Sequence, residues 1–148
     1  MEERQNLEQV IDSDFRIAVV DTSEPDQLLA HFKRLSLTTG RAVYDWSAEH
    51  GLYRLGIEHI FIPRTRTPGD VLAYITSSRH FGIYLLRDFG GALDKPTVER
   101  QLAKFLEKQD GIRRLIVLFG TDVRVPASAA AHTVYLRYAS AAPRSASA

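Results

Sequence analysis

The chain has 148 residues, 45% of them apolar and 25% charged, which is the make-up of one ordinary globular domain. Nineteen basic and eighteen acidic residues leave a net charge of +1, so bulk charge does not drive nucleic-acid binding. There is no cysteine, which excludes disulfides, thiolate zinc sites and thiol catalysis.

Residues 1–14 are charged and have no apolar signal core, and they read as an N-terminal extension. Residues 15–20 form the first apolar run and the first expected strand. Ser23, Pro25 and Asp26 then open a helix, with Leu28, Leu29, Phe32 and Leu35 at helical spacing and Gly40 as its stop. His31 falls on a mixed face of that helix and reads as a surface residue. Residues 41–46 are a second strand. Residues 52–55 and 59–62 suit a small hairpin.

Thr67-Pro68-Gly69-Asp70 places a cap, a proline and a first-turn acid at the start of a second helix, whose apolar face is Val71, Leu72 and Ile75. Residues 82–86 are nearly all apolar, as suits a strand covered on both faces. Asp94 and Pro96 open a third helix carrying Val98, Leu102, Phe105 and Leu106, which Gly111 ends. Residues 115–119 form the longest clean apolar run, far short of the roughly 20 residues of a membrane span. Residues 133–138 alternate like an edge strand, and the Ala/Ser-rich residues 140–148 read as a disordered tail. Strands alternating with helices over residues 15–139 imply one three-layer α/β domain around a mostly parallel, five-stranded sheet. With no signal or span in view, the cytoplasm is the expected compartment.

Ligands of such sheets bind at the carboxyl ends of the strands. Four aspartates fall there: Asp21, Asp45, Asp88 and Asp122. Carboxylates on neighbouring strands can hold Mg²⁺, so a magnesium phosphohydrolase using Asp21, Asp88 and Asp122 is one reading. Turn and cap roles for the same aspartates are the other. A phosphate-binding loop would need glycines and a lysine directly after the first strand. Residues 21–27, Asp-Thr-Ser-Glu-Pro-Asp-Gln, have neither and carry three acids. No dinucleotide fingerprint and no nucleophile elbow occur. Arg64 and Arg66 precede a helix start and are candidates for binding an anion or a partner, with a solvated loop as the alternative.

Several landmarks recur in a family order. Val43-Tyr44-Asp45-Trp46-Ser47 is followed by Gly51, and Ile83-Tyr84-Leu85-Leu86-Arg87-Asp88-Phe89 by Val98-Glu99-Arg100-Gln101-Leu102. Leu115–Phe119 and Val125-Pro126 close the set. Over about residues 14–138 the chain resembles the amino-terminal domain of AAA+ ATPases of the plastid and cyanobacterial hypothetical-chloroplast-frame class. The resemblance implies a degenerate, P-loop-less RecA-like or Rossmann-like sheet. It puts Asp88 where a Walker B aspartate would stand and Thr121 near a sensor strand end. Gly90 departs from the histidine of that family's pattern. The family's ATPase module would begin where this sequence stops, which makes a standalone paralogue or a domain of a longer protein the two expectations.

The expected function is a non-catalytic regulatory or partner-binding domain associated with an AAA+ ATPase. Arg64, Arg66, Asp88 and Phe89 are its expected contact residues, and no cofactor is expected. The rivals are the Mg²⁺ enzyme and a nucleotide sensor that does not hydrolyse.

Overall fold

The computed structural model describes residues 2–57, 60–120 and 123–138. In chain order the elements are α1 (Glu2–Ile11), β1 (Ile17–Thr22), α2 (Pro25–Thr39), β2 (Val43–Ser47), β3 (Gly51–Arg54), β4 (Phe61–Ile62), α3 (Pro68–Ser77), β5 (Gly82–Arg87), α4 (Pro96–Glu107), β6 (Arg114–Phe119) and β7 (Thr133–Tyr138). They build one sheet in the order β4-β3-β2-β5-β6-β1-β7. Neighbours from β2 through to β7 are parallel, while β3 and β4 add antiparallel.

The expected three-layer, mostly parallel sheet is present, but with seven strands rather than five. All five expected strands pair in parallel. The other two come from the expected hairpin, which does not stand apart. Gly51, at φ +75°, turns the chain so that Leu52 pairs with Trp46 and extends the free edge of β2. Thr65 fixes this extension. Its hydroxyl donates to the Ile62 carbonyl (2.7 Å) and accepts from the Leu52 amide (2.8 Å). Its carbonyl accepts from the Trp46 indole (2.5 Å).

Alternation along the strands divides the core in two. On one face Ile17, Val19, Trp46, Leu86, Ile116 and Leu118 meet Val71, Leu72 and Ile75 of α3 and Val98, Leu102 and Phe105 of α4. On the other, Ala18, Val20, Val43, Leu85, Val117 and Phe119 meet Leu28 and Phe32 of α2. That second face also takes Leu7, Val10 and Ile11 of α1. Most of the segment read as an extension is therefore a core helix, with its apolar residues at i, i+3 and i+4. His31, expected at the surface, is buried edge-on to Phe32 and Tyr138. Residues 140–148 lie outside the described residues.

Gly82 opens β5 because Tyr84, two residues on, folds its ring back over the same face. A Cβ on Gly82 would land on the Tyr84 phenol. The Tyr84 ring also stacks on Tyr44, with centroids 5.1 Å apart and planes at 10°. Gly82→Ala must displace this stack, and should cost about 1–3 kcal/mol or more in chemical denaturation.

Burial pushes the Tyr84 phenol up from 10 to about 12; Tyr44 and Tyr74 add to the rise, against the hydrogen bond with Ser78 and the charge of Arg114. The folded value is the raised one, so this contribution is complete below about pH 10 and is lost as pH climbs towards 12. The loss expected above that window is about 2–3 kcal/mol. Melting curves across alkaline pH should show it, and Tyr84→Phe should flatten it.

Candidate functional site at the carboxyl edge

Three strands end around one cleft of about 410 Å³. Asp21 and Thr22 come from β1, Arg87 and Asp88 from the end of β5, and Phe119 and Gly120 from the end of β6, with Pro25 of α2 as a wall. Thr22 shapes the turn into α2, since its hydroxyl accepts from the Glu24 amide (2.9 Å). Pro25 then sets the first helical turn. This strand-to-helix turn is where phosphates sit in nucleotide-binding α/β sheets. Here Asp21, Glu24 and Asp26 occupy it.

Asp88 has a left-handed backbone, φ +54°. Its amide donates to the Phe119 carbonyl (3.0 Å), which ties the loop after β5 to the end of β6. Gly120 faces it at φ +141°, and a Cβ there would lie 3.1 Å from an Asp88 carboxylate oxygen. Asp88 therefore holds an unfavourable conformation of order 1–3 kcal/mol at the cleft wall. Its side chain is exposed.

Asp45 is differently employed. It lies on β2 beside β5, and its side chain is only 9% exposed. Arg87 donates to one of its oxygens at 2.9 Å. His50 stands on the other side, with Nε2 4.0 Å from the same oxygen. The His50 Nδ1 lies 2.7 Å from the Gly51 carbonyl, which can only accept, so Nδ1 carries the proton. The second Asp45 oxygen is buried without a hydrogen-bond partner among the described residues.

Of the four aspartates, the structure brings Asp21 and Asp88 to one cleft. Asp21 also faces Arg137 at 3.9 Å, an exposed pair of little energetic weight. Asp45 does not line that cleft, because β2 lies on the far side of β5 from β6 and β1, and there it pairs with Arg87. Asp122 lies outside the described residues, as does Thr121. Among the described residues no group of three or more His, Cys, Asp or Glu is placed to hold a metal ion.

Phe89, expected among the contact residues, is buried at 1% exposure, because its ring packs edge-on to Trp46 at 5.3 Å. Its ring is core rather than surface. Trp46 is thereby fixed on two sides, by Thr65 and by Phe89. Arg64 and Arg66 lie on the other side of Thr65, exposed, in the loop leading to α3. Arg64 has φ +57°, and the Arg66 Nε donates to the Glu49 carbonyl (3.2 Å). The Thr67 cap and Pro68 start α3 as expected, with the Thr67 hydroxyl accepting from the Asp70 amide (3.1 Å). Both arginines border an open groove of about 570 Å³ along α3, separate from the carboxyl-edge cleft.

The Asp45–Arg87 pair gives a direct test. Arg87→Ala leaves a buried carboxylate without its cation and should cost about 1–3 kcal/mol, discounted for the partial exposure of Arg87. Asp45→Asn in the Arg87→Ala background should recover part of that loss in urea denaturation.

Comparison with known proteins agrees with this picture. A chain in a structure of Drosophila ORC bound to DNA aligns over 93% of this chain with a TM-score of 0.57 at 12% identity, which shows a RecA-like α/β fold. The alignment spans 29% of that chain. No curated protein matches the sequence. Among the described residues no helix is long and apolar enough to cross a membrane. A family model of the SpoVK-like AAA ATPase N-terminal domain matches residues 3–138, nearly the whole described fold, and the chain belongs to that family.

Proposed function

We propose that this chain is a non-catalytic regulatory domain that binds an AAA+ ATPase module and carries no nucleotide of its own. The observation behind this reading is the turn between β1 and α2. Phosphate binding there needs glycines that let backbone amides converge and a lysine that neutralises charge. Residues 21–26 supply three carboxylates instead. At close range those would repel a triphosphate by several kcal/mol at the effective dielectric of a protein surface. The narrower forms of the proposal are a module of the plastid and cyanobacterial class and a cytoplasmic setting.

The rival reading rests on the cleft itself. Its volume of about 410 Å³ and its position would suit a small ligand, with Asp21 and Asp88 as acceptors. One experiment separates the two. Melting curves are recorded with MgATP, Mg²⁺ alone and neither, beside gel filtration with a purified SpoVK-like AAA+ ATPase module. A ligand at about 100 times its Kd would add about 2.7 kcal/mol, several degrees for a domain of this size. The expected result is an unchanged Tm, co-elution with the module and an altered ATPase rate. A nucleotide-dependent rise in Tm without co-elution would sink the proposal in favour of a sensor. A rise with Mg²⁺ alone that Asp88→Asn abolishes would favour the metal enzyme.

A further inference from the structure

The groove along α3 has a distinct chemistry. Its floor is Ala73 and Tyr74, and its head is the Arg64–Arg66 loop. One side of α3 packs on α4, while this side is open. Ala73 and Ser77, four residues apart, are small and exposed, so a second helix could approach to the usual 8–10 Å between axes. Outside the groove lining, Tyr44 packs on the same core cluster as Tyr74, and the Arg54 guanidinium lies over the Tyr44 ring at 5.7 Å. The buried Nε of Arg54 has no hydrogen-bond partner among the described residues. Arg64 makes no ion pair or hydrogen bond with them either. Against the lining cations Arg64 and Arg66 the groove offers one acid, Asp70, whose amide serves the α3 cap.

Strain points the same way. Arg64 keeps a left-handed backbone that glycine would adopt more readily. The sequence thus holds a long cationic side chain at the head of the groove at a conformational cost.

We propose that this groove docks an acidic amphipathic helix. The apolar face of that helix would lie on Ala73 and Tyr74, and its carboxylates would reach Arg64 and Arg66. The proposal rests on the partner-binding reading above and names the chemistry of the segment that the AAA+ partner presents. Paired arginines take carboxylates in two-point contacts, and an apolar floor beside them selects a helix with two unlike faces.

The test uses fluorescence anisotropy with three labelled probes. One is an amphipathic peptide with Leu on one face and Glu on the other, the second replaces each Glu by Lys, and the third is a single-stranded oligonucleotide. The Glu peptide should bind, and rising salt should weaken it. Arg64→Glu with Arg66→Glu should weaken it at least about tenfold. Ala73→Arg, which fills the groove, should do the same. Arg64→Gly suits the local backbone, so it should leave Tm no lower while still weakening the peptide. Equal binding of the Lys peptide would overturn the proposal, as would full Glu-peptide binding by Arg64→Glu/Arg66→Glu. Oligonucleotide binding that those arginine variants abolish, with no Glu-peptide binding, would make the groove a nucleic-acid surface instead. If the AAA+ module co-elutes but the Glu peptide does not bind, the groove proposal fails and the partner-binding reading survives. If the peptide binds and the module does not co-elute, the groove stands and the choice of partner falls.

Discussion

A parallel sheet covered by helices has an unavoidable problem at its amino edge. Each covering helix ends there, with its last carbonyls unsatisfied and the negative end of its dipole facing the strands. Three arginines answer it. Arg113 donates to the carbonyls of Val10 (2.7 Å) and Ile11 (3.1 Å) at the end of α1, and to that of Phe15. Arg16 donates to Phe105 (3.1 Å) and Leu106 (2.8 Å) in the last turn of α4. Arg114 donates to Ser78 just after α3 (3.1 Å from Nε) and holds Asp110 through two bonds of 3.0 and 2.8 Å. Only α2 ends differently. Gly40, at φ +77°, turns the chain, and its amide returns to the Ser36 carbonyl (2.9 Å).

These contacts outweigh the surface ion pairs. A charged donor satisfying a carbonyl that would otherwise stay unpaired is worth about 1.5–3 kcal/mol. A surface pair such as Arg41–Asp12, with an exposed aspartate and a partly exposed arginine, gives less than about 1 kcal/mol. Arg114 is almost fully buried, so its carboxylate partner is part of the fold rather than decoration. The two bonds from Arg114 also hold the Asp110 carboxyl well below the usual carboxylate range. Arginine is committed to structure at the amino edge, whereas among the described residues the Arg64 side chain caps no helix end.

Much of this was legible in the sequence, for reasons that are local. The five apolar strand runs, the Gly40 stop and the Thr67-Pro68 start each depend on neighbours a few residues away, and each is where the residues indicated. The rest depends on pairs far apart in the chain. Asp45 looks like a strand-end ligand until Arg87, 42 residues on, closes on it. Phe89 looks like an exposed loop aromatic until Trp46 covers it. The caps provided by Arg16 and Arg113 span some 90 to 100 positions. The helix α1 is hard to see in the sequence for another reason. Its three buried apolar positions lie among polar residues at the start of the chain, where one short stripe is a weak signal.

Trp46 joins the two candidate surfaces. Its indole holds the Thr65 carbonyl, next in sequence to the strained Arg64, and its ring face packs on Phe89, next to the strained Asp88. Two left-handed, non-glycine residues therefore flank one buried side chain at the end of β2. Each is costly alone, and each persists because the same packing fixes its neighbour. Displacing the arginine loop would have to break a 2.5 Å hydrogen bond to a tryptophan that is itself packed on Phe89, next in sequence to the cleft-lining Asp88. The groove on α3 and the cleft at β1, β5 and β6 are thus separate in lining but share one support.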